Sequence, residues 1–172
     1  MSRPVLLVAV VVVVALVSAV YYYHAGSKPA AGGMESLGDE SIASLVSGAP
    51  GSLSVSVDAL SGSGRIKVEY TCVGGSRAPR ITVSNLPGEA RATALIMYDP
   101  DAPKGTFIHW LALLPATQHR IEIPSQDMVL GLNSAGQEGY FPPCPPAGDK
   151  PHRYYFLVLA LDHNPSLPEE SH

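Results

Sequence analysis

Between Leu53 and Leu161 the apolar residues come in short runs, several of which alternate with polar residues. Alternation with period two is typical of half-buried strands, and a short continuous apolar run is typical of a strand buried on both faces. The chain also has 16 glycines and 16 prolines, which supply the turns between such strands. Because no helical period separates the runs, we predict a mainly β fold, an antiparallel β-sandwich with few short helices, rather than parallel crossovers.

The runs predict where the strands lie. In chain order we expect strands at 53–57, 66–70, 81–83, 93–98, 110–114, 120–123 and 154–161. The first two flank a Gly/Ser turn and resemble a hairpin. The last is the longest and is long enough to cross a whole sheet.

The N-terminal segment, residues 1–25, is almost wholly apolar from Val5 to Val20 and ends in three tyrosines at 21–23. A run of about 18–20 apolar residues is long enough to span a bilayer, and tyrosines suit its interface. We predict one N-terminal transmembrane helix that acts as a signal anchor, with a cleaved signal peptide ending near 17–19 as the alternative. Either places the domain outside the cytoplasm, membrane-anchored or secreted.

Composition divides the remainder of the chain and narrows its partners. Residues 26–52 are rich in Gly, Pro and Ser at both ends, which predicts a flexible linker with one or two weak helical turns, so the domain covers 53–172. Hydrophobic residues make up 46% of the chain, enough for a packed core. Charged residues make up only 15%, the net charge is −4 and there is no basic run, so we expect no nucleic-acid partner.

Cys72 and Cys144 are the only cysteines in the sequence. In an exported domain they could form a disulfide, which would close a long loop and stabilise the fold by ~3–4 kcal/mol. Spacing alone does not show that the two residues meet, so two separate buried thiols remain the alternative.

Three polar segments stand next to apolar strand runs and suggest one pocket. They are Asp99-Pro100-Asp101-Ala102-Pro103 after one run, His109-Trp110 at the start of the next, and Cys144-Pro145-Pro146 with His152-Arg153-Tyr154 before the last. A short excursion from one strand to the next would bring His109 back beside Asp99, where the carboxylate would raise the pKa of the imidazole. Alternation places His152 and Tyr154 on one side of their strand.

These segments offer carboxylates, imidazoles and a phenol, but no obvious nucleophile. A charged imidazole is a good partner for phosphate, so the combination favours holding a small anion over cleaving a bond, and we predict that the protein is not an enzyme. A hydrolase is disfavoured, because no Gly-x-Ser-x-Gly elbow is present. No close pair of His or Cys ligands suggests a metal site, and no cofactor is expected.

Taken together, the motifs resemble the phosphatidylethanolamine-binding protein family, also called Raf-kinase-inhibitor-like proteins, and especially its bacterial and archaeal branch. The matching stretches occur in the family's order between Leu53 and Asp162. They are Tyr70-Thr71-Cys72, 94–103, His109-Trp110, Gly139-Tyr140, Pro143-Cys144-Pro145-Pro146 and 152–162.

The resemblance implies an antiparallel β-sandwich with a small anion pocket at one end of the sheets. It implies a pocket lined by Asp99, His109, Cys144, Pro145, Pro146, His152 and Tyr154, with Asp101 and Trp110 in secondary positions. The implied ligands are small phosphate-type anions or phospholipid head groups such as phosphoethanolamine. The alternative that it implies is inhibition of a serine protease or kinase through a protein–protein surface.

The chain departs from the family pattern in two places that bear on the pocket. Phe141-Pro142-Pro143 stands where the family usually carries glycines, which should stiffen or narrow the pocket rim. After Asp162 we expect the domain to lack the family's C-terminal helix and last strand, with Leu167–Ser171 resembling only the start of that helix. A domain without those elements would expose a sheet edge and core surface.

Overall fold

A computed structural model describes residues 7–14, 53–116 and 119–165 of the chain. These residues contain the strands β1 (Leu7–Val14), β2 (Ser54–Val57), β3 (Ile81–Ser84), β4 (Ala92–Asp99), β5 (Phe107–Pro115), β6 (Arg120–Ile123), β7 (Val129–Leu130) and β8 (Tyr154–Leu161). Within the same ranges, a single 3-10 turn at Val68–Tyr70 is the one helical element.

The strands form two antiparallel sheets, which confirms the predicted mainly β fold. The larger sheet has five strands in the order β1-β8-β4-β5-β7, and the smaller has three in the order β2-β3-β6. Strand β4 lies between β5 and β8 and pairs with each of them along its length. Consequently the end of β4 and the starts of β5 and β8 lie at the same end of the larger sheet.

One apolar core joins the two sheets. Alternation turns every second side chain of each strand toward it. Its largest fully buried side chains are Ile81, Val83, Leu95, Met97, Trp110, Ile123, Phe156 and Val158. Burying large side chains stabilises by about 1.5–3 kcal/mol each, so this core makes β4, β5 and β8 a firm platform for residues at their ends.

The predicted strand at 66–70 is wrong. Ile66 makes only an isolated bridge to Leu60, and the chain then enters the 3-10 turn. The Tyr70 N–H donates to the carbonyl of Lys67 at 3.1 Å, so the backbone closes on itself and offers no ladder to a neighbouring strand. The two-residue strand β7 was not predicted, because so short a run carries no periodicity.

Most of the predicted transmembrane or signal helix lies outside the described residues. Its described part is strand β1, which pairs antiparallel with β8 from Leu7 opposite Leu161 to Val14 opposite Tyr154. Valine-rich runs suit a strand as well as an apolar helix, because β-branched residues pack well on a pleated sheet. This pairing covers the edge of β8. Searched over the described ranges, the chain has no helix long and apolar enough to cross a membrane.

Two further predictions fall on residues that the structure does not describe. These are the linker at 26–52 and the start of a C-terminal helix at Leu167–Ser171.

Candidate functional site

One end of the larger sheet opens into a cavity of about 170 Å³. Its wall consists of Asp99, Ala102, Pro103, Phe107, His109, Phe141, Cys144, Pro145, Pro146, His152 and Tyr154. These residues come from the end of β4 and the turn after it, the start of β5, the start of β8, and a loop at residues 141–149 that we call the pocket loop. The structure therefore brings every predicted ligand-binding residue to one space.

Two larger depressions, of about 450 and 410 Å³, lie over the smaller sheet. Charged side chains line both of them, and one exposed ion pair there joins Arg120 to Glu122 at 3.2 Å. Exposed ion pairs of this kind contribute little to the stability of the fold. The smaller cavity at the strand ends is the candidate site, because its polar groups are buried.

Asp99 is the last residue of β4 and only 3% of it is exposed. One carboxylate oxygen accepts the Asp101 N–H at 2.8 Å, and the other accepts the Nδ1–H of His152 at 2.7 Å. Pro100 has no N–H, so Asp101 supplies the first backbone donor after the strand. With both oxygens engaged, Asp99 is fixed and orients the imidazole of His152.

His152 precedes β8 and lies between two carboxylates, with only 2% of its side chain exposed. Its Nδ1–H donates to Asp99 at 2.7 Å and its Nε2–H to the Asp149 carboxylate at 3.3 Å. Burial lowers the pKa of His152, but the two carboxylates outweigh burial and raise the pKa above its ordinary value. A positively charged imidazolium is therefore favoured beside the cavity.

His109, on β5, differs from its predicted state. Its Nδ1 lies 2.8 Å from the carbonyl oxygen of Phe141, which only accepts, so Nδ1 carries the proton. Burial lowers the pKa of His109, which favours a neutral ring whose Nε2 is an acceptor. The predicted pairing of His109 with Asp99 is wrong, because Asp99 makes its hydrogen bond to His152. The charge of Asp99 still raises the pKa of His109, as expected, but burial outweighs it and the net shift is downward.

Tyr154 is the first residue of β8 and is 8% exposed. Its hydroxyl is buried and has no hydrogen-bond partner among the described residues. Burial raises the pKa of Tyr154, and the nearby charges of Asp99 and Asp101 raise it further, so the phenol stays protonated. A buried hydroxyl without a partner costs about 1–3 kcal/mol, which a ligand that accepts a hydrogen bond from it would relieve.

The pocket loop is tied to the rest of the fold at two points. A disulfide joins Cys144 to Cys72, with the Cα atoms 5.4 Å apart, and the Cys72 N–H donates to the carbonyl of Pro143 at 3.1 Å. At the other point, the Phe141 N–H donates to the carbonyl of His109 at 2.7 Å. The structure thus contains the disulfide rather than two separate thiols, and the disulfide anchors the wall of the cavity.

The two secondary residues are not part of the cavity wall. Asp101 accepts from the Nε and Nη2 atoms of Arg153 at 2.8 and 2.9 Å, and this guanidinium lowers the pKa of its carboxyl. Trp110 is 1% exposed and packs edge-on against Tyr140 in the core. Asp101 therefore connects the turn after β4 to the residues just before β8. Trp110 is part of the core that packs beneath the strands of the site.

Sequence reasoning missed two residues of the site. Phe107 lies two residues before His109 on β5, and the ring centroids of the two are 4.8 Å apart. The period-two pattern could have found Phe107. Asp149 is not part of the cavity wall but contacts His152, which is. It does so from a turn in which its N–H donates to the carbonyl of Pro146 at 3.1 Å, and no sequence pattern indicated that turn. In the described ranges, no group of three or more His, Cys, Asp or Glu residues is suited to hold a metal ion.

Both a family model and individual known proteins match the sequence of this chain. The family model for phosphatidylethanolamine-binding protein matches residues 56–172. A UPF0098 protein of Chlamydia muridarum is 43% identical over 112 residues, which cover 61% of this chain and 72% of that protein. The UPF0098 protein PH1269 of the archaeon Pyrococcus horikoshii is 39% identical over 106 residues, or 56% of this chain and 54% of that protein.

Solved structures share the fold. CT736 from Chlamydia trachomatis is 36% identical, with a TM-score of 0.59 over 67% of this chain and 79% of that one. YbcL from Escherichia coli, described as a member of the mammalian PEBP family, is 30% identical, with a TM-score of 0.60 over 69% of this chain and 82% of that one. Since the family model matches more than half of its residues, this chain belongs to the phosphatidylethanolamine-binding protein family.

Proposed function

We propose that this protein binds small phosphate-type anions, including phospholipid head groups, and catalyses no reaction on them. One observation carries the proposal. An imidazole with a raised pKa, an imidazole whose pKa is lowered by burial, and a phenol hydroxyl without a partner among the described residues line a single cavity; they belong to His152, His109 and Tyr154. These are groups that a phosphate can satisfy together.

The chemistry of each group suits a different oxygen of a phosphate monoester. The Tyr154 hydroxyl donates to one oxygen, and the imidazolium of His152 supplies the compensating charge. Neutral His109 accepts at Nε2, so it suits the protonated oxygen of a monoanionic phosphate, whose second pKa is about 6. Apolar walls from Phe107 and Phe141 exclude water and strengthen these contacts.

The size of the cavity favours a head group over a whole lipid. Its volume of about 170 Å³ is below the roughly 300–1,000 Å³ typical of sites for drug-sized ligands. A phosphate joined to a short polar group is therefore the expected ligand class, with any acyl chains outside the wall.

The composition of the wall supports binding rather than turnover. Cys144 is in a disulfide, so it offers no thiolate. The raised pKa of Tyr154 keeps its hydroxyl protonated, and the described wall contains neither serine nor lysine. Neither the Cys144 sulfur nor the Tyr154 hydroxyl is therefore prepared to attack phosphorus or a carbonyl carbon.

Calorimetric titration of the 172-residue chain with O-phosphoethanolamine and with inorganic phosphate near pH 6 tests the proposal. We expect saturable binding, and amide shifts confined to residues near Asp99, His109, Cys144 and His152. The substitution His152→Asn should abolish binding. His163→Asn is the matched control, because His163 lies beyond the far end of β8 and is exposed. No saturation at millimolar concentrations of either ligand would overturn the proposal.

Two expectations from the sequence stay predictions. Inhibition of a protease or kinase rests on family resemblance, and a stable inhibitory complex that survives His152→Asn would support it over pocket binding. Export of the domain, membrane-anchored or secreted, rests on the apolar N-terminal segment.

A further inference from the structure

Carboxylates occupy both ring N–H groups of His152, but the two contacts are unequal. Asp99 accepts from Nδ1 at 2.7 Å, is buried, and is also held by the Asp101 N–H. Asp149 accepts from Nε2 at 3.3 Å, and 37% of its side chain is exposed. Its other oxygen accepts only the adjacent N–H of Lys150, at 2.8 Å. The Nε2 contact is therefore the one that can open.

A phosphate that accepts a hydrogen bond from His152 must replace Asp149 as the acceptor of the Nε2–H. It cannot replace Asp99, because both carboxylate oxygens of Asp99 are held by hydrogen bonds. The exchange replaces one hydrogen bond with another and leaves the Asp149 carboxylate beside a second anion, where like charges repel. Of the nearby cations, Arg153 pairs with Asp101 at 2.8 Å. Lys150 also acts on Asp149, but 70% of its side chain is exposed, so it offsets this repulsion only in part.

The other groups that face His152 carry no cation. The Tyr154 ring lies with its centroid 6.5 Å from that of His152, and its phenol is neutral. His109 is held neutral by burial. A ligand that brings its own positive charge would therefore relieve the repulsion that a plain phosphate suffers.

We propose that Asp149 is a specificity-determining residue of this pocket. When a phosphate binds, Asp149 loses its hydrogen bond from His152 to the phosphate and pairs instead with an ammonium group on the same ligand. This inference rests on the proposed function. It makes zwitterionic phosphomonoesters the preferred ligands and disfavours phosphomonoesters that carry no cation. Without such a ligand, the Asp149 carboxylate accepts the hydrogen bond from the Nε2–H of His152.

The test compares O-phosphoethanolamine with propyl phosphate, in which a methyl group replaces the ammonium group. The 172-residue chain should bind O-phosphoethanolamine about threefold to fivefold more tightly, as expected for one partly exposed charge pair. Asp149→Asn should bring this ratio close to one, chiefly by tightening the binding of propyl phosphate. Asp127→Asn is the matched control, because it removes one exposed negative charge at a different depression and should leave both affinities unchanged.

A second readout reports the contact itself. NMR titration of the His152 ring should give a lower pKa in Asp149→Asn than in the unsubstituted chain, and the same pKa in Asp127→Asn. Equal affinities for the two ligands in the unsubstituted chain, or an unchanged His152 pKa in Asp149→Asn, would overturn the inference and leave the proposed function standing. Failure of every variant to bind either ligand would overturn both.

Discussion

The hydroxyl of Tyr154 is the group in the pocket whose chemistry is least satisfied by the protein itself. It is buried, protonated and without a partner among the residues that the structure describes. Tyr140 provides the contrast, because its hydroxyl donates to the carbonyl of Tyr70 at 2.6 Å. The Tyr140 hydroxyl therefore stabilises the fold, whereas the Tyr154 hydroxyl makes no hydrogen bond to any described residue.

This contrast predicts opposite effects of removing the two hydroxyls. Tyr154→Phe should leave thermal stability unchanged or slightly higher and weaken phosphate binding about tenfold or more, because a hydrogen bond to a charged group contributes about 1.5–3 kcal/mol. Tyr140→Phe should lower stability by about 1 kcal/mol and leave affinity unchanged. Thermal denaturation and calorimetry measure both quantities. If Tyr154→Phe destabilised the fold as Tyr140→Phe does, the Tyr154 hydroxyl would have a partner within the protein.

The types of residue in the site were predictable, but their pairing was not. Asp99, His109 and His152 could be chosen because each stands next to an apolar strand run. Which histidine meets the carboxylate depends on pairing between strands distant in sequence. Strand β8 lies against β4 with Tyr155 opposite Tyr98, and this register delivers His152 to Asp99. A single sequence contains no record of that register.

The same distinction holds among the strands. Strands β4 and β8 were predicted nearly to the residue, because long apolar runs leave few alternatives. The alternating run at 66–70 failed, since its backbone bonds locally, with the Lys67 N–H donating to the carbonyl of Ala59 at 2.8 Å and then a 3-10 turn. Alternation shows that a segment suits a sheet, and a strand forms only where a partner supplies the ladder.

The pocket loop is the element whose position depends most on a single covalent link. The disulfide between Cys72 and Cys144 spans 72 residues and holds the exposed Pro145 and Pro146 over the cavity. Reducing it, or making the double substitution Cys72→Ser and Cys144→Ser, should lower stability by about 2–4 kcal/mol. It should also weaken phosphate binding several-fold, because the wall would no longer be held in place.

Calorimetry and thermal denaturation with and without a dithiol reductant measure both effects. The double-serine variant is the control, since adding reductant to it should change nothing further. Reduction that lowers stability but leaves affinity unchanged would mean that the hydrogen bonds at Phe141 and Pro143 hold the loop without the disulfide.

At the scale of the whole chain, the N-terminal segment is predicted as a helix, and its described part, residues 7–14, is strand β1. Its valines are apolar enough for a membrane helix and β-branched enough for a strand, so composition and periodicity do not decide between the two. Most other strands were predictable because turn residues bound their apolar runs, the exceptions being the segment at 66–70 and strand β7. In the structure, residues 7–14 form a strand whose backbone pairs with the outer edge of β8.

Deleting residues 1–14 tests the role of this strand. The deletion should leave the N–H and C=O groups along the outer edge of β8 unpaired, and such an edge recruits strands from other molecules. We expect the shortened chain to self-associate as its concentration rises, as measured by light scattering on a sizing column, while the 172-residue chain at the same concentrations does not. A shortened chain that stays monomeric with an unchanged melting temperature would mean that the sandwich does not need β1. The segment would then be free to act as the helix that its sequence predicts.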